Sequence, residues 1–195
     1  MKIILTIALI ICIAAPGYIY SWKQNIKKEL AKECLNNIKS GRKNQMSDSL
    51  HTQVFENYNF EALKAKEVIN MADDKTYKLS ELLNHPNLFI DFCLVGSGHF
   101  EIEMAMMQEF YDKYKGKINF ILLSEEEPDL VRDFFKKHQF TVPFYVINND
   151  KFPVGIKVFP TNHLIINHKT AFLYAGIGYF DNKDFYAYVD SVLVK

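Results

Sequence analysis

The stretch "NLFIDFCLVGSGHFEIEM", Asn87 to Met104, decides how the chain folds and where its chemistry would sit. Its apolar run from Asn87 to Val95 has the length and continuity of a strand covered on both faces. A glycine-containing turn follows, and the next residues open a helix. From Glu101 to Lys115, Met104, Met107, Phe110, Tyr111 and Tyr114 recur at i, i+3, i+4 spacing, which makes one apolar helix face.

Working outward, "KINFILLS" (Lys117–Ser124) reads as a second buried strand. "EEEPDLVRDFFKKHQF" opens on acidic residues beside a proline and closes on Lys and His, the charge order that a helix dipole favours. "PFYVI" is a short strand, and "NHLIINHKTAFLYAGIG" predicts two strands joined by a turn at Asn167 to Lys169. The stretch Asp181–Val194 is helical, with Phe185, Tyr188, Val189 and Leu193 inward. Upstream, "YKLSEL" (Tyr77–Leu82) runs from a short strand into a turn of helix. The order β–α–β–α, then hairpin, then helix predicts an α/β domain. Its central mixed sheet pairs parallel strands through right-handed crossovers.

Lys+Arg and Asp+Glu both number 23, so no basic surplus exists to neutralise phosphates. A nucleic-acid role is excluded on that ground. The N-terminal "MKIILTIALIICIAAPGYIY" is apolar from Ile3 to Tyr20. Pro16 directly after Ala15 spoils a cleavage site, and Ile11 stands where lipidation at Cys12 needs a small residue. Tyr20 and Trp22 then form an interface belt before Lys23, Lys27 and Lys28. Residues 1–21 are expected to be an uncleaved anchor, touching the membrane through residues 3–20; a cleaved signal is the alternative. Trp22, Ile26, Leu30, Cys34 and Ile38 repeat every four residues. Residues 22–64 therefore predict a helical stalk, or an extension packed on the domain of residues 65–195. The three cysteines, Cys12, Cys34 and Cys93, contain no redox or metal-binding pair by spacing.

From about Ala65 to Lys195 the order and several local matches resemble the thioredoxin superfamily, most closely membrane-tethered thiol–disulfide oxidoreductases of the TlpA/ResA type within the redoxin (AhpC/TSA-like) grouping. "YKLSELLNHPNLFIDF" is similar to the family's lead-in, and "GSGHFEIEM" occupies the place of its Trp-Cys-x-x-Cys-x-x-Glu-Met, with Glu103 and Met104 on matching positions. "VFPTNHLIIN" resembles the cis-proline segment, with Pro160 as that proline, and Gly176 stands where the family often has a glycine before its last helix. The resemblance implies a thioredoxin-like fold, an extracytoplasmic domain at the cell envelope, and a peptide-docking face made by Val158, Phe159, Pro160 and Thr161 beside the reactive turn.

The departure lies in that turn, which reads Ser97, Gly98, His99, Phe100. The family's cysteines are replaced by a hydroxyl and a phenyl ring, and two-electron dithiol exchange needs two sulfurs. Ser97 is expected to cap the following helix, and Phe100 to refill the space of a buried sulfur. The reading is a redox-degenerate, non-catalytic module that needs no cofactor and binds a protein or peptide partner in the envelope. Two alternatives stand beside it. One is an oxidoreductase or peroxidase working through the single thiol Cys93. The other is a copper carrier assembled from His99, His163, Met104, Met106 and Met107.

Overall fold

The computed structural model describes residues 24–39, 59–98, 100–147, 152, 156 and 158–194. The apolar run at residues 3–20 and His99 lie outside the described residues. Among the described residues no helix is long and apolar enough to cross a membrane.

The described chain runs α1 (24–39), α2 (Phe60–Lys64), β1 (Glu67–Asn70), β2 (Thr76–Lys78), α3 (Leu79–Leu82), β3 (Leu88–Phe92) and α4 (Phe100–Tyr114). It continues as β4 (Asn119–Ser124), α5 (Pro128–Lys137), β5 (Phe144–Ile147), β6 (Thr161–Ile166), β7 (Lys169–Ala175) and α6 (Lys183–Leu193). The strands form one sheet in the order β2-β1-β5-β4-β3-β6-β7. β3 pairs with β4, and β4 with β5, in parallel; every other pairing is antiparallel. The mixed sheet read from the sequence is therefore present.

All five residues of β3 are buried, because helices cover both sides of the sheet. Alternation then sorts its side chains. Phe89 and Cys93 join the larger core cluster with Met104, Met107 and Phe110 of α4 and Phe185 of α6. Leu88, Ile90 and Phe92 face the smaller cluster with Leu63 of α2 and Leu79 of α3. Rings dominate the larger cluster: Phe110 meets Phe89 at 5.2 Å, Phe180 at 5.6 Å and Phe185 at 5.2 Å between centroids. Such contacts add to the area these side chains bury. Gly178 is required beside them, since a Cβ there would lie 1.8 Å from the Phe180 ring.

The hairpin turns at Asn167 and His168, whose φ values of 51° and 61° suit a two-residue turn of the type that matches strand twist. Asn182 caps α6 by accepting from Phe185 N at 2.8 Å. Phe185 and Val189 are fully inside, while Tyr188 and Leu193 pack at the margin. α1 lies on the domain through its second half. Cys34, Leu35 and Ile38 are buried in the larger cluster, and Lys27 pairs with Asp181. A stalk standing clear of the domain would leave those three side chains in water.

Candidate functional site

Register places the two loops of interest together. Phe92 pairs with Thr161, so the chain leaves β3 beside the point where it enters β6. The turn from Cys93 to Phe100 and the loop ending at Pro160 therefore share one end of the sheet. The Phe159–Pro160 peptide is cis. Gly176 N–H donates to Pro160 O at 2.8 Å, and Gly176 sits at φ 127°, a backbone conformation suited to glycine. Thr161 Oγ1 donates to Val158 O at 2.7 Å. Thr161 and Pro160 are buried, so only Val158 and Phe159 of the expected docking face reach the surface. Among the described residues no hydrogen bond engages the N–H or carbonyl of Phe159.

At the turn, Ser97 is half-buried. Its N–H donates to Leu94 O at 3.1 Å and its carbonyl accepts from Phe100 N at 3.1 Å. Ser97 thus meets the start of α4 through its backbone; the expected hydroxyl cap is not among the hydrogen bonds of the described residues. A Cβ on Gly98 would meet open space. Phe100 is 2% exposed and packs on Phe134 at 5.0 Å and Phe144 at 5.9 Å. This is core filling. It also sets the Phe100 ring apart from Phe159. Phe100 lies on the same helix stripe as Met104 and Met107 and points into the larger cluster, whereas Phe159 packs on Phe152 beside the smaller one.

The residues that hold the turn were not singled out by sequence reasoning. Glu126, between β4 and α5, accepts from Val95 N at 2.5 Å and from Gly96 N at 3.0 Å. Ser124 Oγ donates to the same carboxylate at 3.0 Å. Its neighbour Glu125 accepts from Phe152 N at 2.9 Å, on the approach to the cis-proline loop. The triplet "EEE" was legible only as a helix start. Two of its members instead tie the backbones of both site loops to β4.

Beneath the turn lies a buried polar cluster. Asp91 pairs in register with Asn162, and Glu103 of α4 joins them; all three are essentially inaccessible. Glu103 Oε1 accepts from Gly178 N at 3.2 Å, and Asn162 Nδ2 donates to Gly176 O at 3.2 Å. Both carboxyl oxygens of Asp91 lack a hydrogen-bond partner among the described residues. Burial pushes Asp91 up to about 8. Glu103 is raised well above its usual range by burial and then by the nearby Asp91 charge. The pair therefore keeps at least one proton at neutral pH.

Cys93 shares this cluster. Its Sγ donates to Leu123 O at 3.7 Å, and it is 1% exposed. Burial, followed by the neighbouring carboxyls, drives its pKa well up, the opposite of what a reactive thiol needs. The copper arrangement is contradicted as well. His163 alternates onto the smaller-cluster face, where its ring meets Phe60 edge-on at 5.8 Å and Nε2 lies 2.9 Å from Thr170 Oγ1. Met104 and Met107 lie on the other side of the sheet. Burial lowers His163 to about 4, so its ring is neutral.

No family model matches the chain, and no curated protein does. Solved structures do. A thioredoxin-related protein from Neisseria meningitidis serogroup B is 18% identical over 66% of this chain and 100% of that one, with a TM-score of 0.52. The pneumococcal exposed lipoprotein thioredoxin Etrx1 from Streptococcus pneumoniae is 18% identical over 66% and 98%, TM-score 0.51. A DsbF homologue from Corynebacterium diphtheriae is 16% identical over 65% and 85%, TM-score 0.50. The fold is thioredoxin-like.

The turn before α4 and the cis-proline loop make one face at this end of the sheet. Here that face presents Ser97, Gly98, Val158 and Phe159, with Phe100 withdrawn into the core.

Proposed function

We propose that this thioredoxin-like domain is a non-catalytic binding module, tethered at the cell envelope by its N-terminal apolar run, that docks an extended segment of a protein partner across the turn and the cis-proline loop. The observation that carries the reading is the state of the thiols. Ser97 and Phe100 hold the two cysteine positions of the family pattern, and the nearest remaining thiol, Cys93, is buried and hard to ionise. Dithiol exchange needs a thiolate that can reach its substrate. What remains is a surface where, among the described residues, no hydrogen bond engages the Phe159 backbone, beside open space over Gly98 and a half-exposed aromatic ring. An extended peptide uses such features by adding main-chain hydrogen bonds beside an apolar contact.

The test is a titration of the full chain, in detergent micelles, with carboxymethylated insulin B chain as an extended, disulfide-free probe, followed by amide NMR. Saturable shifts confined to Gly98, Val158 and Phe159 support the reading. Shifts absent at those amides contradict it.

A further inference from the structure

We propose that the exposed side of α1 together with the first turns of α4 rests on the surface of an anionic phospholipid bilayer, so that the domain lies against the membrane instead of projecting from it. The inference rests on the tethered reading above.

Three observations converge on this face. Most large apolar side chains are covered, yet Ile26 and Leu30 of α1 are each 40% exposed and Ile102 of α4 is 60% exposed. All three line one groove of about 550 Å³ between the helices, together with Ala105, Met106 and Tyr179. Glu109 and the Lys27–Asp181 pair stand at its edge. A groove open on one side with this lining is suited to a medium that is apolar within and polar at its boundary.

The chain's connectivity then says what covers it. The apolar run ends at Tyr20, six residues before Ile26. Six residues reach about 20 Å even when fully extended. If the run inserts, Ile26 cannot stand far from the headgroup layer.

Charge supplies the third observation. The whole chain is neutral, but Lys23 to Lys39 contains five lysines against Glu29 and Glu33. Lys28, Lys32 and Lys39 are exposed on the flank of α1 that faces the start of α6, where they outnumber the acids Asp181, already paired with Lys27, and Asp184. α1 thus carries apolar side chains towards one groove and lysines along the other, the arrangement of a helix lying in a membrane interface with anionic lipid.

The test uses the full chain reconstituted in vesicles of 30% phosphatidylglycerol in phosphatidylcholine, and in phosphatidylcholine alone. Photoreactive p-benzoylphenylalanine replaces Ile102, or Leu30 as a second position should the first variant misfold. A control probe replaces Glu81, exposed on α3 across the sheet. Quenching of Trp22, the chain's single tryptophan, by brominated lipid reports the tether separately. The expected result is lipid adducts at Ile102 or Leu30 at least fivefold above Glu81, falling in vesicles without phosphatidylglycerol. Quenched Trp22 with equal adduct yields at both faces overturns the inference while the tether stands. Adducts between two copies of the chain in place of lipid overturn it too. Adducts at Ile102 without Trp22 quenching sink the tether and leave the docking face intact; neither signal sinks both.

Discussion

Gly96 donates its backbone N–H to Glu126 Oε1 at 3.0 Å, and a Cβ on Gly96 would come within 3.1 Å of that same oxygen. A side chain at position 96 would press on the very carboxylate that holds its amide. One side chain holds two consecutive amides of the turn that begins α4, and Ser124 orients it from the other side.

Glu126→Ala leaves the Val95 and Gly96 amides and the Ser124 hydroxyl without their acceptor. A loss of roughly 1–3 kcal/mol is expected, since hydrogen bonds to a charged group are stronger than neutral ones. Urea unfolding measures the loss, and faster hydrogen exchange at Val95 and Gly96 localises it.

The buried acids give a pH dependence with a definite sign. The carboxyl of Asp91 rises from 3.8 to about 8 on folding, and Glu103 is raised in the same direction. Between those limits the folded state binds more protons than the unfolded one, so stability falls as pH rises from about 4 to about 8. The contribution of this pair is largest below the unfolded value and is lost as pH passes the folded one. Asp91→Asn is expected to match the parent near pH 4 and to exceed it at pH 8 by on the order of 2 kcal/mol or more, each tenfold change in proton affinity being worth about 1.4 kcal/mol. Urea titrations across that range check the slope.

Phe100 and Ser97 differ sharply in what their replacement costs. Phe100→Ala opens a cavity between Phe134 and Phe144 and is expected to cost roughly 3–5 kcal/mol. Ser97→Cys, at a half-buried turn position, is expected to stay within about 0.5 kcal/mol of the parent. Among the variant's thiols, alkylation kinetics are then expected to distinguish a fast one at residue 97 from a slow one at Cys93.

Gly178→Ala drives a methyl group into the Phe180 ring. Overpacking of about 1–3 kcal/mol is expected, with lost near-ultraviolet circular dichroism from the aromatic cluster around Phe110.

Much of this fold was readable because its central elements obey strong periodicities. The run "LFIDF" is apolar enough to mark a strand covered on both faces, and the Met104–Met107–Phe110 stripe marks α4. β1 was not separately recognised. Its "EVIN" is only four residues with two buried or half-buried aliphatics, and its place between β2 and β5 comes from pairing partners far along the chain. At the site, Ser97 and Phe100 were plain as the residues standing where the family resemblance expects cysteines. Phe100 was expected to fill buried space, and it does, packing on Phe134 and Phe144. The roles of Glu125 and Glu126 were not legible. A glutamate that accepts from backbone about 30 residues away leaves no local pattern.

The central claim is that a thioredoxin-like scaffold here carries no working thiol. The most direct measurement is reduction of insulin disulfides by the full-length chain in dithiothreitol, followed by turbidity. No rate above the dithiothreitol background is predicted, with Cys93 remaining unmodified by alkylating agent in the native state. Catalytic turnover that disappears in Cys93→Ala would contradict the account.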